Sequence, residues 1–266
     1  MKLSKKGTFV VVGILGVLFL SRFWFLEKIN FIQKSSVNKK TTPELAREMT
    51  SFRKGISFLL TTRKEFVGGS TFIIKKLNEI CQNKELEVLW KKKIDEDLKD
   101  QKFLYRLYDP TFSYQNISEL ENIQNPNTRL IAKAAYCDKF SYRNILQEIN
   151  SFERDNAYNS SHLLLALTIM KEKNCYEEKI TSLIDEVANE LIQAQNKEEK
   201  LYICNPLSLD IYAERAAIIG YAGYSIENSW VEKILQCQEE NGSWFDDPHT
   251  TALSLWAIAQ KDKKCE

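Results

Sequence analysis

Glycine and proline are scarce, at 9 and 5 of 266 residues. A β-sandwich or an α/β sheet turns tightly at many crossovers, and so few turn-forming residues argue against both. No charge of one sign predominates: 37 Lys and Arg face 36 Asp and Glu. The basic residues are scattered and carry no recognition motif, so nucleic acid is not an expected partner. P-loop, G-x-G-x-x-G, Ser/His/Asp and Cys/His spacings are all missing. Six cysteines occur, Cys81, Cys137, Cys175, Cys204, Cys237 and Cys265, without a C-x-x-C pair. Their even number suits an oxidising compartment, and buried free thiols on helices explain them equally well. What is plentiful is apolar surface: 44% hydrophobic residues suffice for the core of one sizeable domain.

The N-terminus is a separate object. Residues 1–6 are a basic tail with Lys2, Lys5 and Lys6, and residues 7–26 are apolar apart from Ser21 and Arg22 near their end. That length matches the ~20 residues a bilayer core needs, with Arg22 snorkelling to the far interface and Trp24 beside it. No small-x-small cleavage site follows, since the first alanine is Ala46. The expectation is an uncleaved signal anchor and a single-pass membrane protein. A short basic tail favours the cytoplasm and places the domain outside the cytoplasm. Residues 27–43 read as a polar linker, and residues 44–266 as the folded domain.

From Glu44 onward the periodicity is helical. Glu44–Phe66 carries Leu45, Met49, Phe52, Ile56 and Leu59 on one stripe, ended by Gly68-Gly69. Ser70 is expected to cap the next helix, with Phe72, Ile73, Leu77 and Ile80 on one face. Residues 84–107 read as a charged helix or helix pair, and 110–127 as loop. Four later segments are apolar on nearly all sides: Leu130–Cys137, His162–Met170, Ile211–Gly220 and Ala252–Ala259. Asn125-Pro126 and Asp247-Pro248 announce two of them as an N-cap followed by proline at the first helical position. Between them lie one-sided helices, Tyr142–Phe152, Tyr176–Gln195 and Ser229–Gln238. A helix apolar all round must be buried all round, so the alternation implies an inner and an outer layer of helical hairpins. Closing the inner row hides it from water.

The turn between the last two helices is distinctive: Gln238-Glu-Glu-Asn-Gly242-Ser-Trp244, then Asp246-Asp-Pro-His249-Thr-Thr-Ala-Leu-Ser-Leu. Gly242 permits the positive φ that ends the outer helix, Trp244 plugs the seam between hairpins, and Gln238 can bond across it. This Q-x-x-x-G-x-W pattern resembles the turn of the squalene/terpene cyclase and protein prenyltransferase superfamily. The resemblance implies an all-α fold, an α/α toroid of helical hairpins around an apolar cavity. Trp256, Arg215 and Tyr212, on the two apolar helices, join Gln238, Gly242 and Trp244 as cavity or seam residues.

The chemistry such a resemblance implies is only partly matched. In protein prenyltransferases a D-x-x-H-T segment supplies a zinc ligand, and Asp246-Asp-Pro-His249-Thr250 has its form. The companion D-x-C pair does not occur, and Cys204 lacks the acid. One histidine does not hold zinc, so no metal and no cofactor are expected. The D-x-D-D acid of class II terpene cyclases is missing too; Asp95-Glu-Asp97 reads as a solvated helix face and Asp246-Asp247 as a helix start. Glu214-Arg215 must face a polar cavity or a buried partner. It either lines a polar patch with His162, Asp155 and Asp210 or ties two hairpins as an ion pair; His162 alone reads as a satisfied core histidine. The catalytic candidates are therefore His249, Asp246, Glu214 and His162. Two functions compete: a membrane-anchored module binding a lipid, a peptide or a protein, and a terpene cyclase/prenyltransferase-like enzyme on an apolar substrate. A carbohydrate-processing toroid, the third, would need a Tyr/His/Arg cleft.

Overall fold

Short polar side chains begin most of the long helices, and their positions set the architecture. In the computed structural model, residues 42–154, 156–198, 201, 203–262 and 265 are described. The expected anchor, residues 7–26, and Asp155 lie outside them. Among the described residues there is no strand, and no helix is long and apolar enough to cross a membrane. Ten α-helices occur there: α1 Thr42–Thr61, α2 Ser70–Cys81, α3 Lys84–Asp97, α4 Pro126–Ala135, α5 Tyr142–Ser151, α6 Ala157–Glu172, α7 Glu177–Glu198, α8 Pro206–Tyr221, α9 Asn228–Gln236 and α10 Pro248–Asp262. The segments read as helical and as loop contain 3-10 turns at Lys102–Leu107 and Ile117–Asn122.

The side chains of Asn125, Asn156 and Asn205 accept from the backbone N–H three residues on, starting α4, α6 and α8. Asp247 does the same for α10, accepting from Thr250 N–H at 2.6 Å. Helix α6 is thus capped at Asn156, ahead of the apolar segment His162–Met170. Helix α2 departs further. Its N-cap is Gly69, with φ 81°, and Ser70 makes no cap bond. The carboxylate of Asp97, at the end of α3, instead accepts from Gly69 N–H at 3.2 Å and Thr71 N–H at 3.0 Å. An anion at a helix N-terminus meets orphan donors and the positive end of the dipole, so Asp97 is a structural cap rather than a solvated acid. Replacing Asn205 with alanine removes one such cap and is expected to lower stability by about 1 kcal/mol, read as a shift of the urea midpoint.

Residues 46–266 pack as one unit. Within it α2 packs on α10, α10 on α8, α8 on α6 and α6 on α4. Helix α4 meets the 3-10 turn Lys102–Leu107, which follows α3, and α3 packs on α2. Phe72 and Tyr108 meet edge to face at 6.3 Å, and Arg106 lies over the Tyr136 ring at 4.7 Å, so this segment links α2 to the end of α4. The row helices are buried on every side: Leu209, Tyr212–Gly220 and Ala252–Ala259 are covered throughout. The remaining helices bury one stripe, such as Ile180, Ile184, Val187, Ala188 and Leu191 on α7.

All six cysteines are paired: Cys81–Cys265, Cys137–Cys175 and Cys204–Cys237. The two shorter links join neighbouring hairpins, and the long one holds the C-terminal segment against the end of α2. Of the two explanations open from sequence, the free thiols are set aside.

Candidate functional site

The helices α4, α6, α8 and α10 all bring their first two turns to one cavity of about 250 Å³. One wall is apolar, with Phe72 and Ile73 of α2, Leu98, Leu104 and Leu107, and Ile131 of α4. Leu165, Ile218 and Trp256, two to three turns into their helices, also line it. The rest of the lining is polar because two helices repeat polar residues at one-turn spacing and a third begins with one. Tyr158 and His162 lie on α6, Asp210 and Glu214 on α8, and His249 begins α10. No lysine or arginine lines the cavity among the described residues.

Each of these groups is held from behind. His162 Nδ1 donates to the Tyr158 carbonyl at 3.0 Å and stacks on the Tyr158 ring, with centroids 4.4 Å apart. Nδ1 also lies 3.3 Å from Glu214 Oε1, but its single proton is taken by the carbonyl. Glu214 Oε1 is thus buried without a hydrogen-bond partner. Asp210 Oδ1 accepts from the Thr250 hydroxyl at 2.9 Å and stands 4.0 Å from His249 Nε2. The Ser70 hydroxyl donates to the Val67 carbonyl, so towards His249 Nδ1, 3.3 Å away, it can only accept. His249 Nδ1 therefore carries a proton directed at Ser70, and Nε2 is the nitrogen on the Asp210 side.

Burial dominates the electrostatics. It pushes the Glu214 carboxyl up to about 8, with the nearby Asp210 charge adding to the rise and Arg215 opposing it. Burial also pushes the His162 imidazole below its ordinary value. Near neutral pH both groups carry no charge.

No family model, curated protein or solved structure matches the chain. The site is read from its own geometry.

Glu214, His162 and His249 stand together among the polar lining residues, and Trp256 lines the same cavity. Asp246 does not join them. It is an exposed turn residue with φ 50°, paired with Lys64 at 2.6 Å. The adjacent charges Glu214 and Arg215 part company, since successive helix residues point about 100° apart. Arg215 faces outward and donates to Glu198 of α7 at 3.1 Å, while Glu214 faces the cavity. Tyr212 also faces the outer layer: its carbonyl accepts from Gln195 at 3.1 Å and its ring lies under Lys233. Gln238, Gly242 and Trp244 lie at the seam. Gln238 Nε2 donates to Ser51 O at 2.8 Å and Gly242 O at 2.9 Å, and Trp244 Nε1 donates to Ile234 O at 2.7 Å. Tyr158 and the place of Asp210 beside His249 were not singled out from sequence. The signal for both was present: Tyr158/His162 and Asp210/Glu214 are four-residue pairs of polar side chains at the starts of otherwise apolar helices.

Proposed function

We propose that residues 44–266 form an α/α toroid whose central cavity binds a small, largely apolar ligand with a polar head. The protein then acts as a binding module tethered to a membrane by residues 7–26, with the domain outside the cytoplasm. The observation that carries the reading is three buried polar atoms without hydrogen-bond partners, Glu214 Oε1, Trp256 Nε1 and Asn127 Oδ1, all on residues lining the cavity. Each such group costs ~1–3 kcal/mol, and a ligand with matching donors and acceptors removes that cost.

Support for the toroid comes from the succession of neighbours α4, α6, α8, α10, α2 and the 3-10 turn back to α4, from the outer helices between them, and from the Gln238 bond to α1. The resemblance to the cyclase and prenyltransferase superfamily points the same way. Three disulfides favour an oxidising compartment. Of lipid, peptide and protein partners, the cavity favours a small apolar molecule. Its 250 Å³ lies below the ~300–1,000 Å³ of pockets that enclose drug-sized ligands.

A screen of fragments bearing one apolar ring and one hydroxyl or amide, read by ligand-observed NMR, tests this. Binders are expected with wild type and lost in Ile218→Trp, which fills the cavity. Equal binding by a folded Ile218→Trp protein would remove the cavity from the argument.

A second reading, an enzyme acting on a small apolar substrate, rests on two carboxyls and two imidazoles gathered on one wall. The terpene cyclase form of it lacks a D-x-D-D acid. The carbohydrate reading lacks its arginine, since none lines the cavity.

A further inference from the structure

We propose that Asp210, Glu214 and His249 form a site for one divalent cation of the zinc type, held on the cavity wall with a coordination position open to a ligand. The three side chains each offer one donor atom, and these atoms all lie within 4.8 Å of one another. Donors ~2.1 Å from a tetrahedral ion stand ~3.4 Å apart, so the 4.0 Å between His249 Nε2 and Asp210 Oδ1 has to close by roughly 0.6 Å. The widest pair, at up to 4.8 Å, has to close by roughly 1.4 Å, which takes rotation of more than one of the three side chains.

Two independent features call for a positive charge there. His249 Nε2 stands 4.0 Å from Asp210 Oδ1, too long for a hydrogen bond, while Ser70 accepts from Nδ1 and leaves Nε2 as the nitrogen within reach of an ion. Glu214 Oε1, on a side chain 9% exposed, is aimed at the same wall and has no hydrogen-bond partner. Among the described residues no lysine or arginine lines the cavity, and Arg215 turns away to Glu198. The donors are also braced as metal ligands usually are. Thr250 donates to Asp210, and Ser70 accepts from the non-ligating nitrogen of His249. Two carboxylates and one imidazole, with no thiolate, suit a borderline cation better than a soft one, and three protein donors leave room for water or ligand. This set differs from the thiolate-bearing one of the resembling prenyltransferases. Its carboxylates come from successive turns of α8.

The inference deepens the cavity reading and rests on it only for what meets the open position. The full-length protein is stripped with chelator and titrated with Zn²⁺ alone by calorimetry, with metal counted by elemental analysis. One Zn²⁺ per chain is expected, weakened at least ~10-fold by Ser70→Ala, within the ~10–100-fold usual for outer-shell changes. His249→Ala and the double variant Asp210→Asn/Glu214→Gln should abolish saturable uptake. Co²⁺ provides a second readout: strong visible d–d absorption on loading wild type, lost in Glu214→Gln, with circular dichroism confirming the fold. Absence of saturable Zn²⁺ uptake by wild type, or uptake unchanged in folded His249→Ala, would overturn the site. Fragment binding beside Ile218 is scored separately, so either idea can fail while the other stands.

Discussion

Gly242→Ala is expected to lower the thermal midpoint by roughly 4–24 °C. Gly242 has φ 90°, a conformation that costs a residue with a Cβ ~1–3 kcal/mol. An added Cβ would also sit 2.4 Å from the carbonyl oxygen of Lys54 and 2.5 Å from its carbonyl carbon. Those are backbone atoms in the middle of α1, so no side-chain rotation relieves the clash, and the turn must lift off the helix. Overpacking of this kind costs a further ~1–3 kcal/mol, and lifting also stretches the Gln238 bond to Ser51. The sum, roughly 2–6 kcal/mol, is a large part of the ~5–15 kcal/mol that stabilises an ordinary domain, at ~2–4 °C per kcal/mol. Gly223→Ala is the control. It has φ 99° and nothing within 4 Å of its added Cβ, so it reports conformational strain alone. If the two variants melt together, Gly242 is not wedged against α1 and the seam is looser than its distances indicate.

That seam was readable in advance because the turn is local: Gln238, Gly242 and Trp244 lie within seven residues, and each has one physical job. The starts of α4 and α10 were readable for the same reason, an acceptor side chain followed by proline. The row of buried helices was legible wherever charge was missing, as in Leu163–Met170 and Ala252–Ala259. It was not legible in α2, a member of the row whose sequence carries Lys75, Lys76 and Asn78. Lys76 is buried there because Glu79 and Glu172 meet its ammonium at 3.0 Å, from one turn along α2 and from α6. Such long-range compensation leaves no periodic trace. The cysteine pairing was hidden likewise, since Cys81 and Cys265 are 184 residues apart. The site falls between these cases. Glu214, His162 and His249 stood out as polar residues in apolar or turn contexts, but their gathering depends on which helices are neighbours. Asp246 was attractive by motif and lost by geometry, because two successive positive-φ residues, Phe245 and Asp246, turn the chain outward before α10 begins.

Glu214 should make the chelated, metal-free protein less stable as the medium turns alkaline. In the unfolded chain a glutamate titrates near 4.5, whereas burial and the Asp210 charge hold the folded Glu214 up to about 8. Between those values the folded protein keeps a proton that the unfolded chain has released, so stability falls as pH rises. The contribution is complete below about pH 4.5 and gone above about 8; at ~1.36 kcal/mol per pH unit, the loss is on the order of 5 kcal/mol. The groups facing Glu214 are Asp210 on its own helix, Tyr158 and His162 on α6, and His249 on α10, while Arg215 acts on it only through its charge. His162 works in the other direction. Burial keeps it neutral, so stability is lost as pH falls below its ordinary ~6.5 and the unfolded chain takes up a proton. Urea unfolding of wild type from pH 5 to 9 in chelator should therefore show an alkaline decline that Glu214→Gln flattens, while His162→Gln leaves that decline in place. A Glu214→Gln protein that declines with the slope of wild type would mean the carboxyl is hydrated, and the dry polar wall of the cavity would have to be redrawn.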